Sequence, residues 1–151
     1  MKLIKITNML LIFCLLPLAV FSQDAPVEKS ESRGLTVKIT GLKNDRGKVM
    51  IALCNSEENF SSHEEVFRGA AVEVVNKEAQ AVFKDIPPGE YAVKVFHDQN
   101  ENGKMDTNFL GIPREKYGFS NNAKGKFGPP KWKDAKFDFV NPDTTLEIRL
   151  N

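Results

Sequence analysis

The sequence predicts an all-β protein, a single antiparallel β-sandwich of about seven strands with a long ordered cap loop over 98–135. Three observations predict it. Short segments alternate apolar and polar residues with a period of two, clusters of Gly, Pro, Asn and Asp separate them, and no long amphipathic helical pattern or internal repeat occurs.

The first strand is read from Leu35, Val37 and Ile39 alternating with Thr36, Lys38 and Thr40. One face is thereby apolar and the other wet. Asn44-Asp45-Arg46-Gly47 supplies a turn, and Val49, Ile51 and Leu53 resume the alternation as a hairpin partner of the first strand. Cys54 falls on the opposite face as a small apolar filler. Ser56 to Glu65 is polar and holds a short helical turn, after which Val66–Val75 and Ala79–Phe83 read as two strands. Pro87-Pro88-Gly89 punctuates, because proline lacks a ladder donor and glycine permits positive φ. Tyr91, Val93 and Val95 then mark a strong strand, and Lys136–Val140 with Thr144–Leu150 reads as a final pair.

The chain opens with Lys2 and Lys5 ahead of an apolar run from Met9 to Val20, and the polar Gln23-Asp24-Ala25-Pro26 follows. That is a secretory signal peptide over residues 1–22, too short to span a bilayer. Residues 23–33, rich in charge and Ser, read as a flexible tether, and residues 34–151 as the folded domain. The expected location is periplasmic or secreted. Cys14 lies inside the apolar run behind the bulky Phe13, which does not suit lipid attachment. Cys54 is then left without a disulfide partner, so stability must come from a core. With 21 basic and 20 acidic residues the chain has no electrostatic footprint for nucleic acid.

The segment from Asp98 to Asp134 is far longer than an ordinary connection, and it contains Phe109, Leu110, Ile112, Tyr117, Phe119, Phe127 and Trp132. That apolar mass predicts an ordered cap. It opens with Asp98-Gln99-Asn100-Glu101-Asn102-Gly103-Lys104-Met105-Asp106, a D-x-N-x-N-G-x-x-D run. Calcium takes six to eight oxygens, and acid and amide side chains at alternate positions can converge on one ion when a glycine in sixth place allows a sharp turn. Asp98, Asn100, Asn102 and Asp106 are the candidate side-chain ligands, with Lys104 offering its carbonyl. Phe109 stands twelfth, where an EF-hand loop places a bidentate acid, so a further carboxylate must come from elsewhere. Asp85, Glu115 and Asp134 are the candidates. The competing reading is an Asn/Asp-rich turn that bonds only its own backbone.

Tyr117, Phe119, Phe127 and Trp132, interleaved with Gly and Asn, form a candidate platform for a glycan or a peptide, or else the cap's own small core. Catalysis has little to stand on. His63 and His97 are the only histidines, Ser61 and Ser62 merely neighbour His63, and no zinc spacing, phosphate loop or nucleophile elbow occurs. The expectation is a non-enzymatic monomer without a membrane span in its mature part, its partner unknown and an envelope glycan or protein ligand the candidate.

Phe83-Lys84-Asp85-Ile86-Pro87-Pro88-Gly89-Glu90-Tyr91, His97-Asp98 to Asp106, Asn108-Phe109-Leu110-Gly111-Ile112-Pro113 and Tyr117-Gly118-Phe119-Ser120-Asn121-Asn122 together resemble the bacterial exported family catalogued as domain of unknown function 2141. The resemblance runs from about Leu35 to Leu150, and the family has no agreed activity. The Pro-Pro-Gly-x-Tyr segment also looks like transthyretin-like and collagen-adhesin B-type sandwiches. That second likeness implies a prealbumin-like or immunoglobulin-like Greek key and no function.

Overall fold

The computed structural model describes residues 34–62, 65–141 and 143–151. The segments read as signal peptide and tether, together with His63, lie outside them. In order the elements are β1 (Gly34–Thr40), β2 (Lys48–Cys54), α1 (Glu57–Ser61), β3 (Arg68–Glu73), β4 (Ala79–Lys84), β5 (Gly89–Asp98), β6 (Tyr117–Phe119), α2 (Trp132–Ala135), β7 (Phe137–Phe139) and β8 (Thr145–Arg149). A single 3-10 turn, Ser120–Asn122, follows β6 directly.

Two sheets face each other. One runs β4-β1-β8, and the other runs β3-β2-β5-β6 with β7 also paired to β5. The period-two residues supply the interior: Leu35, Val37 and Ile39 from β1, Val49, Ile51 and Leu53 from β2, Val93 and Val95 from β5, and Ile148 from β8 form one buried cluster. Alternation drives this layering, since each strand has one face to hide and the two apolar faces bury each other.

Pairing departs from the sequence expectation in two places. β1 and β2 are not a hairpin. β1 pairs antiparallel with β4 (Leu35 opposite Phe83) and parallel with β8 (Val37 opposite Leu146), while β2 pairs with β3 and β5. The link between them is too long for a two-residue hairpin turn and crosses from one sheet to the other, so Val37 and Ile51 meet across the core instead of side by side. Likewise the last two strands are not a pair, because β7 joins β5 (Tyr91 opposite Phe137) and β8 joins β1. The β1–β8 ladder is the one parallel pairing in an otherwise antiparallel set among the described residues.

The open edges are tied together. Val75 and Glu78 bridge β3 to β4, and the Arg68 guanidinium donates to the carbonyls of Lys84 and Asp85. At the opposite side the Asn151 N–H donates to the Tyr117 carbonyl at 3.0 Å, and Gly118 lies so close to β8 that a Cβ there would stand 2.9 Å from Ile148 Cγ2. Such ties leave little unpaired edge for another strand to join. The Pro-Pro-Gly-x-Tyr segment has its own role: the Tyr91 hydroxyl donates to the Pro87 carbonyl at 2.8 Å, locking the corner into β5.

A second, smaller cluster covers the outer face of β2 and β5. Cys54 and Ala92 are sealed there by Phe60 of α1 and Ala135 of α2, with Phe119 and Trp132 beside them. The helical turn expected after Ser56 is α1, closed by a capping box in which Ser56 Oγ accepts the Asn59 N–H and Asn59 Oδ1 accepts the Ser56 N–H. At its other end the Lys94 ammonium, half-buried, donates to the carbonyls of Asn59, Phe60 and Ser62 at 3.2, 2.9 and 2.6 Å. Burial pushes that ammonium below the usual lysine value and the Cys54 thiol above the usual thiol value.

Candidate functional site

The long connection leaves β5 at Asp98, and its first turn is set by that buried carboxylate. Asp98 is 2 % exposed, and its two oxygens accept the Asn102 N–H at 3.1 Å and the Gly103 N–H at 2.7 Å. The chain can curl this tightly because Glu101 and Gly103 both adopt left-handed φ, 57° and 74°. Asn100 and Asn102 repeat the device, their Oδ1 atoms accepting the N–H groups of Asn102 and Lys104 at 3.3 and 2.8 Å.

The other ends of those two amides converge on Asp106. Asn100 Nδ2 donates to Asp106 Oδ2 at 2.8 Å and Asn102 Nδ2 to Asp106 Oδ1 at 3.0 Å, closing a ring of side chains across the loop. Glu115 staples the ring from behind. Only 7 % exposed, it accepts the Gln99 N–H at 3.0 Å and the Asp106 N–H at 3.1 Å, one per oxygen. Of the three further carboxylates weighed from the sequence, Glu115 alone joins the loop. Asp85 sits in the turn after β4 and Asp134 on α2. As the side chains are arranged, no three His, Cys, Asp or Glu groups among the described residues stand close enough to share a metal ion.

Residues with no sequence signal for this role anchor the loop's base. Gly47, at φ 66°, allows the β1–β2 link to lie against the Asp98 carbonyl, where any Cβ would collide with the oxygen. His97 is fully buried, and its Nε2 meets the Arg46 carbonyl at 2.7 Å. A carbonyl only accepts, so Nε2 carries a proton and donates it, while Nδ1 has no partner. Lys48 pairs with Glu101 at 3.3 Å and Glu73 at 3.6 Å, and the hydrogen bond it donates to Glu101 raises its ammonium above the usual value.

The aromatic candidates are divided between two environments. Phe119 and Trp132 meet Phe60 edge-on, with centroids 5.9 and 5.8 Å away, and Tyr117 meets Phe119 at 5.9 Å. Phe127 is fully exposed. Between β6 and β7, which share one side of β5, lies a polar plug: Ser120 Oγ accepts the Val93 N–H at 2.9 Å and donates to the Ala135 carbonyl at 2.6 Å. Asn121 donates to the carbonyls of Asp134 and Lys136, and Asn122 Oδ1 accepts the Arg149 N–H. The Ser-Asn-Asn run is therefore structural cement for α2, β7 and β8.

Fold and site together define an all-β sandwich protein that carries a closed acid–amide loop at the end of its central strand. Residues 37–147 match the family described as "Uncharacterized protein conserved in bacteria (DUF2141)", and the chain belongs to it. No curated protein and no solved structure matches the chain. No helix among the described residues is long and apolar enough to cross a membrane.

Proposed function

We propose that the chain is an exported, non-catalytic binding or scaffold module whose Asp98–Asp106 loop takes one calcium ion that holds the long connection in place. The observation that carries this reading is the ring closed on Asp106. Asn100 Nδ2 and Asn102 Nδ2 stand 2.8 and 3.0 Å from its two carboxylate oxygens. Turned over, the same amides offer oxygens at those positions. Oxygens bound at about 2.4 Å in a pentagonal girdle around calcium are about 2.8 Å apart. Asp98 and the Lys104 carbonyl complete the set in this reading, and Glu115 holds it from the second layer. Neighbouring oxygens of a magnesium octahedron at about 2.0–2.1 Å are also about 2.8–3.0 Å apart, so the choice of calcium rests on the D-x-N-x-N-G-x-x-D pattern and not on this spacing.

With only two carboxylates, Asp98 and Asp106, among the proposed ligands of the loop, the expected dissociation constant is about 10⁻⁴ to 10⁻³ M, the range of extracellular modules. Export is supported by the N-terminal signal pattern. Absence of catalysis is supported by the burial of His97 and Cys54, since neither reaches solvent to meet a substrate. A glycan- or peptide-binding role for Tyr117, Phe119, Phe127 and Trp132 is less well supported, because Phe119 and Trp132 already pack on Phe60.

Calorimetric titration of calcium into chelator-treated protein tests the reading, with Asp106→Asn as the control that keeps the side chain's shape and removes its charge. Saturable heat in the parent that is absent in the variant is expected. No heat and no melting shift at 5 mM ion would retire the calcium loop and leave the sandwich.

A further inference from the structure

Beyond the acid–amide ring the chain forms a second, projecting device. Thr107 and Pro113 bridge in antiparallel fashion, the Asn108 N–H donates to the Ile112 carbonyl at 2.9 Å, and the Gly111 N–H donates to the Asn108 carbonyl at 2.9 Å. Asn108 Oδ1 then accepts two more donors, the Leu110 N–H at 2.9 Å and the Ile112 N–H at 3.0 Å. Gly111 takes φ 75°, which closes the turn. The result is a stiff miniature hairpin that holds its most apolar residues outward: Phe109 is 93 % exposed, Leu110 68 % and Ile112 54 %.

Leaving a phenylalanine and two aliphatic side chains in water at one tip costs free energy that folding does not recover, so such a patch calls for an occupant. Two features say which. Four of the tip's backbone donors, those of Asn108, Leu110, Gly111 and Ile112, are satisfied inside the hairpin. That near self-sufficiency, broken only at the Phe109 N–H, suits a hydrocarbon medium, which offers no partner to a bare N–H. Moreover no charged residue lies between Thr107 and Pro113, and of the charges on either side the anions are engaged within the protein, Asp106 by Asn100 and Asn102 and Glu101 by Lys48, while the exposed cations are Lys104 and Arg114. The Arg114 N–H donates to the Asp106 carbonyl, fixing Arg114 at the neck of the hairpin. An apolar tip with cations at its neck is complementary to a bilayer with anionic headgroups.

The geometry points to the Asn108–Pro113 hairpin as a membrane-docking finger, which inserts Phe109, Leu110 and Ile112 among the lipids of an anionic bilayer while Lys104 and Arg114 meet the headgroups. The inference does not rest on calcium, so its test contains a chelator.

The full chain with Phe109→Trp is mixed with vesicles of phosphatidylglycerol and phosphatidylethanolamine whose acyl chains include a brominated fraction. The readout is specific to position 109, whatever other segments do at the membrane, and the wild-type chain supplies the background from Trp132. Blue-shifted emission and bromine quenching above that background are expected, falling more than tenfold in apparent affinity when Leu110→Asp and Ile112→Asp are added. Lys104→Glu with Arg114→Glu should weaken binding severalfold and remove its salt dependence. Unshifted, unquenched emission at position 109 overturns the inference. So does a blue shift that tracks protein concentration without vesicles, which assigns the tip to a second protein surface.

Discussion

Ser120 is the residue on which most depends. Its buried hydroxyl serves both β5, through the Val93 N–H, and α2, through the Ala135 carbonyl. Ser120→Ala leaves both groups unpaired without opening a path for water, so unfolding free energy should fall by about 1–3 kcal/mol. Urea denaturation measures that loss, and hydrogen exchange should show the Val93 amide losing protection first. Gly118 makes the same point through space instead of polarity. Gly118→Ala drives a methyl to 2.9 Å from Ile148 Cγ2 and 3.2 Å from the Arg149 carbonyl, and an overpacked contact of this kind costs about 1–3 kcal/mol, readable as a lower Tm. Neither role is legible in the sequence, where Ser120 and Gly118 read as loop residues. Asp98 differs, because its run of alternating acid and amide residues marks a tight turn by composition and spacing, whether that turn closes on calcium or on its own backbone.

At the scale of elements, the small cluster under α1 and α2 turns on Phe60. It touches Phe119 and Trp132 and lies 5.8 Å from the Lys94 ammonium. Phe60→Ala should cost about 3–5 kcal/mol and free α1 from the sheet, which near-ultraviolet circular dichroism of Trp132 would register. The same cluster sets a pH response. Burial holds the Cys54 thiol above its ordinary value, so in alkali the unfolded chain loses this proton before the folded chain does. The stability it contributes is complete below the unfolded thiol's pKa of about 8.5 and drains away as pH rises past it. Lys94 opposes this. Held low by burial, it favours folding increasingly as pH climbs from its folded value toward the unfolded one near about 10.4. Cys54→Ala should therefore lose the alkaline fall and retain the rise, a reversal of slope visible in denaturation midpoints measured from pH 8 to about 10. The alternating strands were readable one by one. β6 was not, since a three-residue strand centred on a glycine carries no period to detect.

For the molecule as a whole, closure depends on the C-terminus. Leu150 is buried in the main core and Asn151 supplies the hydrogen bond that joins β8 to β6. Removing both residues should open that side of the sandwich and unfold the protein at physiological temperature. Removing Asn151 alone should cost only about 1 kcal/mol, a contrast that thermal melts can separate. If the loop takes calcium with a dissociation constant of about 0.1 mM, 1 mM ion adds about 1.4 kcal/mol of stability, equivalent to a Tm rise of a few degrees.

Strand identity and the face each strand buries were determined by the sequence itself, because period two is a local property and residues such as Val37 and Ile51 have only one way to leave water. Of the apolar residues that predicted an ordered cap, Phe119 and Trp132 do pack, on Phe60, whereas Phe109, Leu110, Ile112 and Phe127 stay exposed, so apolar content alone did not say which part of the long connection would be covered. Which strand lies beside which was decided by the tertiary structure alone. β1 and β2 alternate equally well as a hairpin or as facing layers, and the choice rests on distant partners: β4 and β8 for one, β3 and β5 for the other. Glu115 was drawn to the loop for the same reason. A carboxylate seventeen residues beyond Asp98 becomes its staple only once β6 has brought the chain back against β5.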